Sequence, residues 1–392
     1  MVNKRGERRF LKQLLRVNVV LALAIFGIAT CIFRASADSI RVSPDLVGLP
    51  QFMTGGDISE LGREEQLGAV YKDGNVPGDA LLMFKKRGCN IMRLRLWVNP
   101  TDRAEYINDL PYTIALGRQI KKDGFLLLLD IHYSDSWADP GQQHIPEAWL
   151  DFSLPDLIKE VHDYSRDVIA AMRKGGAMPD IVEVGNEINN GLLWPIGKVE
   201  EPDGWSHLNA LLKSGIQGVH DGSPSGRSPK IMIHTANGAL DGVTRWFYDN
   251  LESPSNGGPI DFDIMGFSYY PDNSKSIDDL KTALLATIDR YHKPILVVET
   301  AYPSVGDSPD ANHLIYQQYG ISPTGQKNFL ADLVKMVKTL PAPYGKGVLY
   351  WAPEWLGLPG LPSYAAEPLF DQNFNALPAL DSLSPNQRPA GM

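Results

Sequence analysis

From about residue 50 onward, short apolar runs alternate with amphipathic stretches, and this alternation leaves the chain few folds to choose from. Strand-like runs occupy residues 52–58, 89–96, 124–131, 181–184, 230–233, 264–268, 294–298 and 347–351. Between them, segments such as 154–173, 204–219, 277–291 and 325–339 repeat apolar residues every three or four positions, the helical period. Each run is followed by enough chain for a crossover. Runs such as Phe125-Leu126-Leu127-Leu128-Leu129 are apolar without alternation, as parallel strands covered on both faces are. Eight βα units with no low-complexity linker predict an α/β fold, a single (β/α)8 TIM barrel. A doubly wound sheet is the alternative. It calls for a glycine-rich phosphate turn after the first strand, and the sequence has neither G-x-G-x-x-G nor a phosphate loop.

The barrel accounts for the chain only after its first residues. Lys4, Arg5, Arg8, Arg9, Lys12 and Arg16 precede an uncharged apolar run over 17–33, and Ala35-Ser36-Ala37 follows. That order of charge, apolar core and small-residue site predicts a secretory signal peptide over 1–37 and a barrel domain over 38–392. A membrane anchor is the alternative, but the run falls short of the ~20 residues a spanning helix wants. The expected location is therefore outside the cell or in a periplasm, with no stable membrane association after cleavage. Removing 1–37 takes seven of the 37 Lys and Arg and one of the 46 Asp and Glu, leaving a net charge of about −15. So negative a surface argues against nucleic acid and anionic membranes as partners. Of two cysteines only Cys89 then remains, so no internal disulfide is expected; it sits in an apolar stretch and reads as a small buried hydrophobe.

Active sites of such barrels gather where the strands end. Here the strand ends carry Arg93, Arg95 and Trp97, then Asp130, His132, Tyr133, Asp135 and Trp137, then Asn186 and Glu187. The later strands end on His234, Tyr269 and Tyr270, Glu299 and Trp351. Polar and aromatic residues at nearly every exit make the profile of a carbohydrate site. Glu187 and Glu299 close the fourth and seventh strands, on opposite sides of the barrel mouth. Hydrolysis of a glycosidic bond needs one carboxylic acid to protonate the leaving oxygen and a second carboxylate to attack the anomeric carbon or activate water. A lone strand-end glutamate is commonly an ion-pair partner or metal ligand; two in this register, one preceded by Asn186, point to the catalytic pair. The Asn186 amide is suited to the 2-hydroxyl of a sugar.

Trp97, Trp137, Trp351 and Trp355 follow strands on the same face and are expected to stack on sugar rings of a polymer, whereas Trp149, Trp205 and Trp246 are expected in the core. His132 and His234 lack the spacing of a metal pair and are expected to hydrogen-bond sugar hydroxyls or order the glutamates. Asp307, Asp310 and Asn312, after Glu299, could hold calcium, but a solvated loop is the commoner explanation. No metal or other cofactor is expected, and the protein is expected to act as a monomer.

Further motifs occur in order: Gly56-Asp57-Ile58-Ser59, Arg93-Leu94-Arg95-Leu96-Trp97-Val98-Asn99-Pro100, Ser134-Asp135-Ser136-Trp137-Ala138-Asp139-Pro140, Gly185-Asn186-Glu187 with Gly191-Leu192-Leu193-Trp194-Pro195, Ser268-Tyr269-Tyr270-Pro271 and Glu299-Thr300-Ala301-Tyr302-Pro303. Together they resemble the arabinogalactan endo-β-1,4-galactanases, glycoside hydrolase family 53, from about residue 50 to Leu369-Phe370-Asp371 and Ala376-Leu377-Pro378. The resemblance implies a (β/α)8 barrel and endo-hydrolysis of β-1,4-galactan with retained configuration. It implies Glu187 as acid/base and Glu299 as nucleophile. It further implies Tyr270 as the tyrosine holding that nucleophile, with Tyr269 one position away, and Arg95, with Arg93 second, as the basic residue beside it. Arg95, His132, Asp135, Tyr270, Trp97, Trp351 and Asn186 are the expected substrate contacts. Two positions depart from the family pattern. Glu183 stands where a neutral residue is expected, which predicts an extra carboxylate inside the barrel. Glu354 follows Trp351 by three positions rather than directly, which bears on the outer sugar contacts.

Overall fold

A computed structural model describes residues 46, 48–100, 107–271, 275–306, 314–358, 364 and 366–385. The expected leader and Asp307, Asp310 and Asn312 lie outside the described residues. Eight parallel strands close a barrel: β1 (Met53–Asp57), β2 (Ile91–Leu96), β3 (Leu126–Ile131), β4 (Ile181–Val184), β5 (Lys230–Thr235), β6 (Ile264–Ser268), β7 (Ile295–Glu299) and β8 (Gly345–Trp351). Each pairs with its neighbours in chain order, and β1 closes the ring against both β8 and β2. The expected (β/α)8 TIM barrel is the fold. At Gly55 a Cβ would lie 1.7 Å from the Ile91 carbonyl oxygen, so the closing strand needs glycine there.

Helices pack outside the strands where the sequence marks their starts. Ser153 and Asp156 form a capping box at Leu154–Lys174, and Ser276 and Asp279 another at Ile277–Tyr291. Asp109 and Ser322 cap Leu110–Lys122 and Pro323–Lys338, each with proline in the first turn, where its missing N–H costs nothing. After β8 the last outer element is a 3-10 helix, Pro378–Leu383, anchored by the Ser382 hydroxyl donating to the Lys327 carbonyl.

Inside the barrel, alternate residues form layers. Met53, Ile91, Leu128, Ile181, Met232, Ile264, Leu296 and Leu349 make a buried apolar plug. Two residues further along β2, β3, β4 and β5 the layer turns polar, with Arg93, Asp130, Glu183 and His234, joined by Asp57 from the end of β1, all essentially inaccessible. One strand breaks the alternation. Phe267 pairs with Val297 but Ser268 with Glu299, a register shift that skips Val298. The bulge lets Glu299 join the interior face although Val298 already packs inside.

Candidate active site

The polar layer is organised around one guanidinium. Arg93 reaches Asp57 on β1 (3.0 Å), Asp130 on β3 (2.8 Å), Glu183 on β4 (3.0 Å) and Glu299 on β7 (2.6 Å). Its Nε donates to Glu183 and its Nη2 also to Asn186 Oδ1, so all five N–H groups are committed. Removing a cation from water is expensive, and four carboxylates at hydrogen-bonding distance offset that penalty. Burial opposes the charge of Arg93, yet these anions hold its pKa well above the usual value. Burial likewise opposes ionisation of Asp130, but His132 and Arg93 outweigh it and keep that carboxyl below the usual range.

Glu187 leaves β4 through a tight turn. Gly185 has φ +86°, where a Cβ would also meet Ile188, and Glu187 itself is left-handed at φ 45°. The turn aims its side chain across the mouth, where Ser268 Oγ donates to Glu187 Oε1 at 2.5 Å. The same hydroxyl lies 3.4 Å from Glu299 Oε2, so those two carboxylate oxygens stand no more than 5.9 Å apart. Desolvation, then the charge of Glu299, push the Glu187 pKa up to about 8. Glu299 accepts from Arg93 Nη1 on one oxygen and from Tyr270 OH (2.9 Å) on the other. Burial, then Glu299, keep the Tyr270 phenol well above its usual pKa, so it stays a donor. A carboxyl held protonated faces one held by donors alone, which is the division of labour that glycosidic cleavage needs.

The cleft above the pair has a volume of about 260 Å³ and is lined by Trp137, Trp351, Tyr364, Asp139 and Gln142 among others. Trp137 lies over the Arg95 guanidinium (4.6 Å) and stacks with Trp355 (6.1 Å between centroids, 23° between planes). Asn186 donates to the Ala138 carbonyl, which fixes its amide at the cleft wall.

Several expected contacts have other occupations. Arg93 rather than Arg95 holds Glu299; Arg95 pairs with Glu60 and lies 3.5 Å from Asp57, beneath Trp137. Both arginines face inward, but Arg95 is one layer nearer the mouth and meets residues after β1 and β8 first. His132 borders the cleft with both ring nitrogens engaged. Its Nδ1 accepts from the donor-only Trp97 indole at 3.2 Å and its Nε2 faces Asp130 at 2.8 Å, so both nitrogens serve to order neighbouring groups. Trp97 is fully buried and backs Trp137 edge-on instead of lining the cleft. Asp135 takes the backbone N–H groups of Asn99 and Glu147 and braces two loops. Tyr270, not Tyr269, reaches the Glu299 carboxylate; Tyr269 meets Glu299 through its backbone N–H, and its hydroxyl donates to the Lys275 carbonyl. Trp351 and Asn186 do border the cleft. Glu354 is buried away from it, accepting from the Glu60 backbone N–H, with burial first raising its pKa. Trp149 is in the core as expected, but Trp246 is 43 % exposed, edge-on to Trp205. Ser268, which joins the two glutamates, was missed; its signal was a hydroxyl ending the sixth strand beside the tyrosines. Among the described residues, no group of three or more His, Cys, Asp or Glu side chains is placed to hold a metal ion, and no helix is long and apolar enough to cross a membrane.

A parallel barrel with paired strand-end glutamates and an aromatic cleft defines a glycoside hydrolase. Residues 53–383 match glycosyl hydrolase family 53, and the chain belongs to that family. It is 39% identical over 318 residues to an uncharacterized Niallia circulans protein, covering 78% of this chain and 84% of that one. It is 35% identical over 336 residues to an arabinogalactan endo-β-1,4-galactanase of Thermothelomyces thermophilus, covering 83% and 97%. Its fold superimposes on the family 53 catalytic domain of Ignisphaera aggregans with a TM-score of 0.79 at 33% identity, covering 88% of this chain and 98% of the other.

Proposed function

We propose that the chain is a secreted endo-β-1,4-galactanase that works with retention, with Glu299 as nucleophile and Glu187 as acid/base. The observation that carries this reading is the single Ser268 hydroxyl within hydrogen-bonding distance of both carboxylates. It bounds their near oxygens at a separation compatible with the ~5–5.5 Å of retaining enzymes, whereas inversion wants roughly 6.5–9.5 Å to admit a water. The named galactanase among the relatives supports the substrate, and the strongly acidic mature chain is compatible with a neutral polymer.

In the first step a Glu299 oxygen forms a bond to the anomeric carbon while the glycosidic C–O bond breaks, and the Glu187 proton passes to the departing oxygen. Water then attacks the same carbon, gives its proton to Glu187, and the ester to Glu299 breaks. Trp137 and Trp351 stack on sugar rings, and the second N–H of the Asn186 amide serves the 2-hydroxyl. The double displacement calls for no metal ion or other cofactor, and the cleft of one chain holds all the groups it uses, so a monomer suffices. The leader over 1–37 directs export.

The test is chemical rescue. Glu299→Ala abolishes cleavage of an activated aryl galactoside, and azide restores it with a glycosyl azide of inverted configuration. Failure of azide to rescue a folded variant overturns the nucleophile assignment. Digestion of unbranched β-1,4-galactan, but not mannan or glucan, to internal fragments checks the substrate; binding without cleavage would identify a glycan-capturing protein instead.

A further inference from the structure

Glu183, His234 and Ser268 form a hydrogen-bonded series that ends on Glu187, and catalysis as described uses only its last member. Glu183 Oε1 lies 2.6 Å from His234 Nδ1, His234 Nε2 lies 2.8 Å from Ser268 Oγ, and Ser268 donates to Glu187. We propose that Glu183 is a positioning residue for Glu187: as a carboxylic acid it donates to His234 Nδ1, holds the imidazole as its Nε2–H tautomer, and so turns the Ser268 hydroxyl hydrogen onto Glu187 Oε1. The inference rests on the acid/base reading of Glu187.

Two observations assign the proton. Four carboxylates surround the one Arg93 guanidinium, so the layer holds more negative charge than its cation balances. Asp57 has further donors in the Ser59 N–H and hydroxyl, Asp130 has His132, and Glu299 has Tyr270 and the open cleft. Glu183 is fully inaccessible, and beyond Arg93 its partner is His234. A protonated carboxyl needs an acceptor, which a neutral Nδ1 is. Asn186 Oδ1, at 3.1 Å from Nδ1, accepts from Arg93 and has a second lone pair, so an Nδ1–H tautomer is the rival arrangement that the first measurement below decides. Burial acts in the same sense at both ends, raising the Glu183 pKa well above its usual value and lowering that of His234 to about 4. With Oε1 of Glu187 occupied by Ser268, its Oε2 carries the acid proton, and Ser268 still holds the carboxylate after that proton has left.

Two measurements test this. The ring-nitrogen shifts of His234 in the resting enzyme report a neutral Nε2–H tautomer across the pH range of activity; an Nδ1–H tautomer or an imidazolium overturns the proposal. The second is the alkaline limb of kcat/KM, set by Glu187, which faces Glu299, Arg93, Asp139 and Tyr270 in every variant used. Glu183→Met frees the Ser268 hydroxyl, so the ionised form of Glu187 loses a donor. The limb moves to higher pH by about one unit and kcat falls about tenfold with KM little altered. Ser268→Ala moves the limb the same way, and the double variant moves it no further. Glu183→Gln, whose amide can donate to His234, restores most of the loss although Arg93 Nη2 gives up one contact. Were Glu183 ionised and merely structural, removing its charge would move the limb to lower pH; that result, or no movement, overturns the proposal. Should the methionine variant not fold, the glutamine variant and the tautomer still decide. An alkaline limb that persists in Glu187→Gln sinks the acid/base reading and leaves the tautomer result standing.

Discussion

Replacing Glu187 by glutamine should abolish activity on galactan and at the same time stabilise the protein, by an amount that depends on pH. The ordinary glutamate value is 4.5, and in the fold it is pushed up to about 8 by desolvation and by Glu299. Between those values the unfolded chain has lost a proton that the folded chain keeps. Stability therefore falls as pH rises through this window, and the loss is complete once pH passes the folded value. Each unit is ~1.4 kcal/mol, so near pH 7 the wild type carries a penalty of ~3 kcal/mol that was absent near pH 4.5. One edge of Glu187 opens to the cleft, and solvent there reduces the figure; a gain of ~1.5–3 kcal/mol for Glu187→Gln at neutral pH is expected. The amide keeps the acceptor that Ser268 needs and never ionises. Urea unfolding of both proteins at pH 4.5 and pH 7 measures the difference, with the titrating groups that do not face Glu187 cancelling between them. An advantage of the same size at both pH values would refute the electrostatic reasoning, because packing alone does not titrate.

The same geometry sets further outcomes. In Glu299→Gln the like charge facing Glu187 is gone, so a carboxyl-carbon titration should place Glu187 lower than the value of about 8 in the wild type. Tyr270→Phe removes one of the donors to Glu299 and should lower kcat roughly tenfold to a hundredfold, the worth of a hydrogen bond to a charged group. Arg93→Lys supplies three donors where five are used; thermal melts should show a loss of ~3 kcal/mol or more, if the chain folds at all. Trp137→Ala should raise KM for the polymer about threefold to tenfold with little change in melting temperature.

The barrel and the pair of strand-end glutamates facing each other across its mouth were legible because both arise from periodicity: apolar runs mark strands, and the residues just past each run mark the mouth. Alternation also put Arg93 and Arg95 on one face. It could not give their depth, which depends on how the strands stagger around the ring, and depth decides which guanidinium meets Glu299. Strict alternation would even have sent Glu299 outward, since Val298 packs inside; the bulge against Ser268 that turns it in has no local sequence mark. Trp97, His132 and Asp135 stand near the mouth, yet their polar atoms are engaged with one another, with Asp130 or with loop backbone. A sequence shows what a side chain can donate, not what has already taken the bond.

Arg93 also says something about how the molecule assembles. Its partners come from β1, β3, β4 and β7, and Glu299 lies 206 positions further along the chain. A chain lacking its seventh strand would leave this ion cluster, the most crowded among the described residues, without one of its anions and open to water on that side. Half-barrels therefore gain little by forming early at this layer, since ions removed from water unpaired are penalised. The last parallel strands are added against high loop-closure entropy. Closure of the ring and completion of the cluster at the barrel mouth are thereby coupled, because the same seventh strand supplies both.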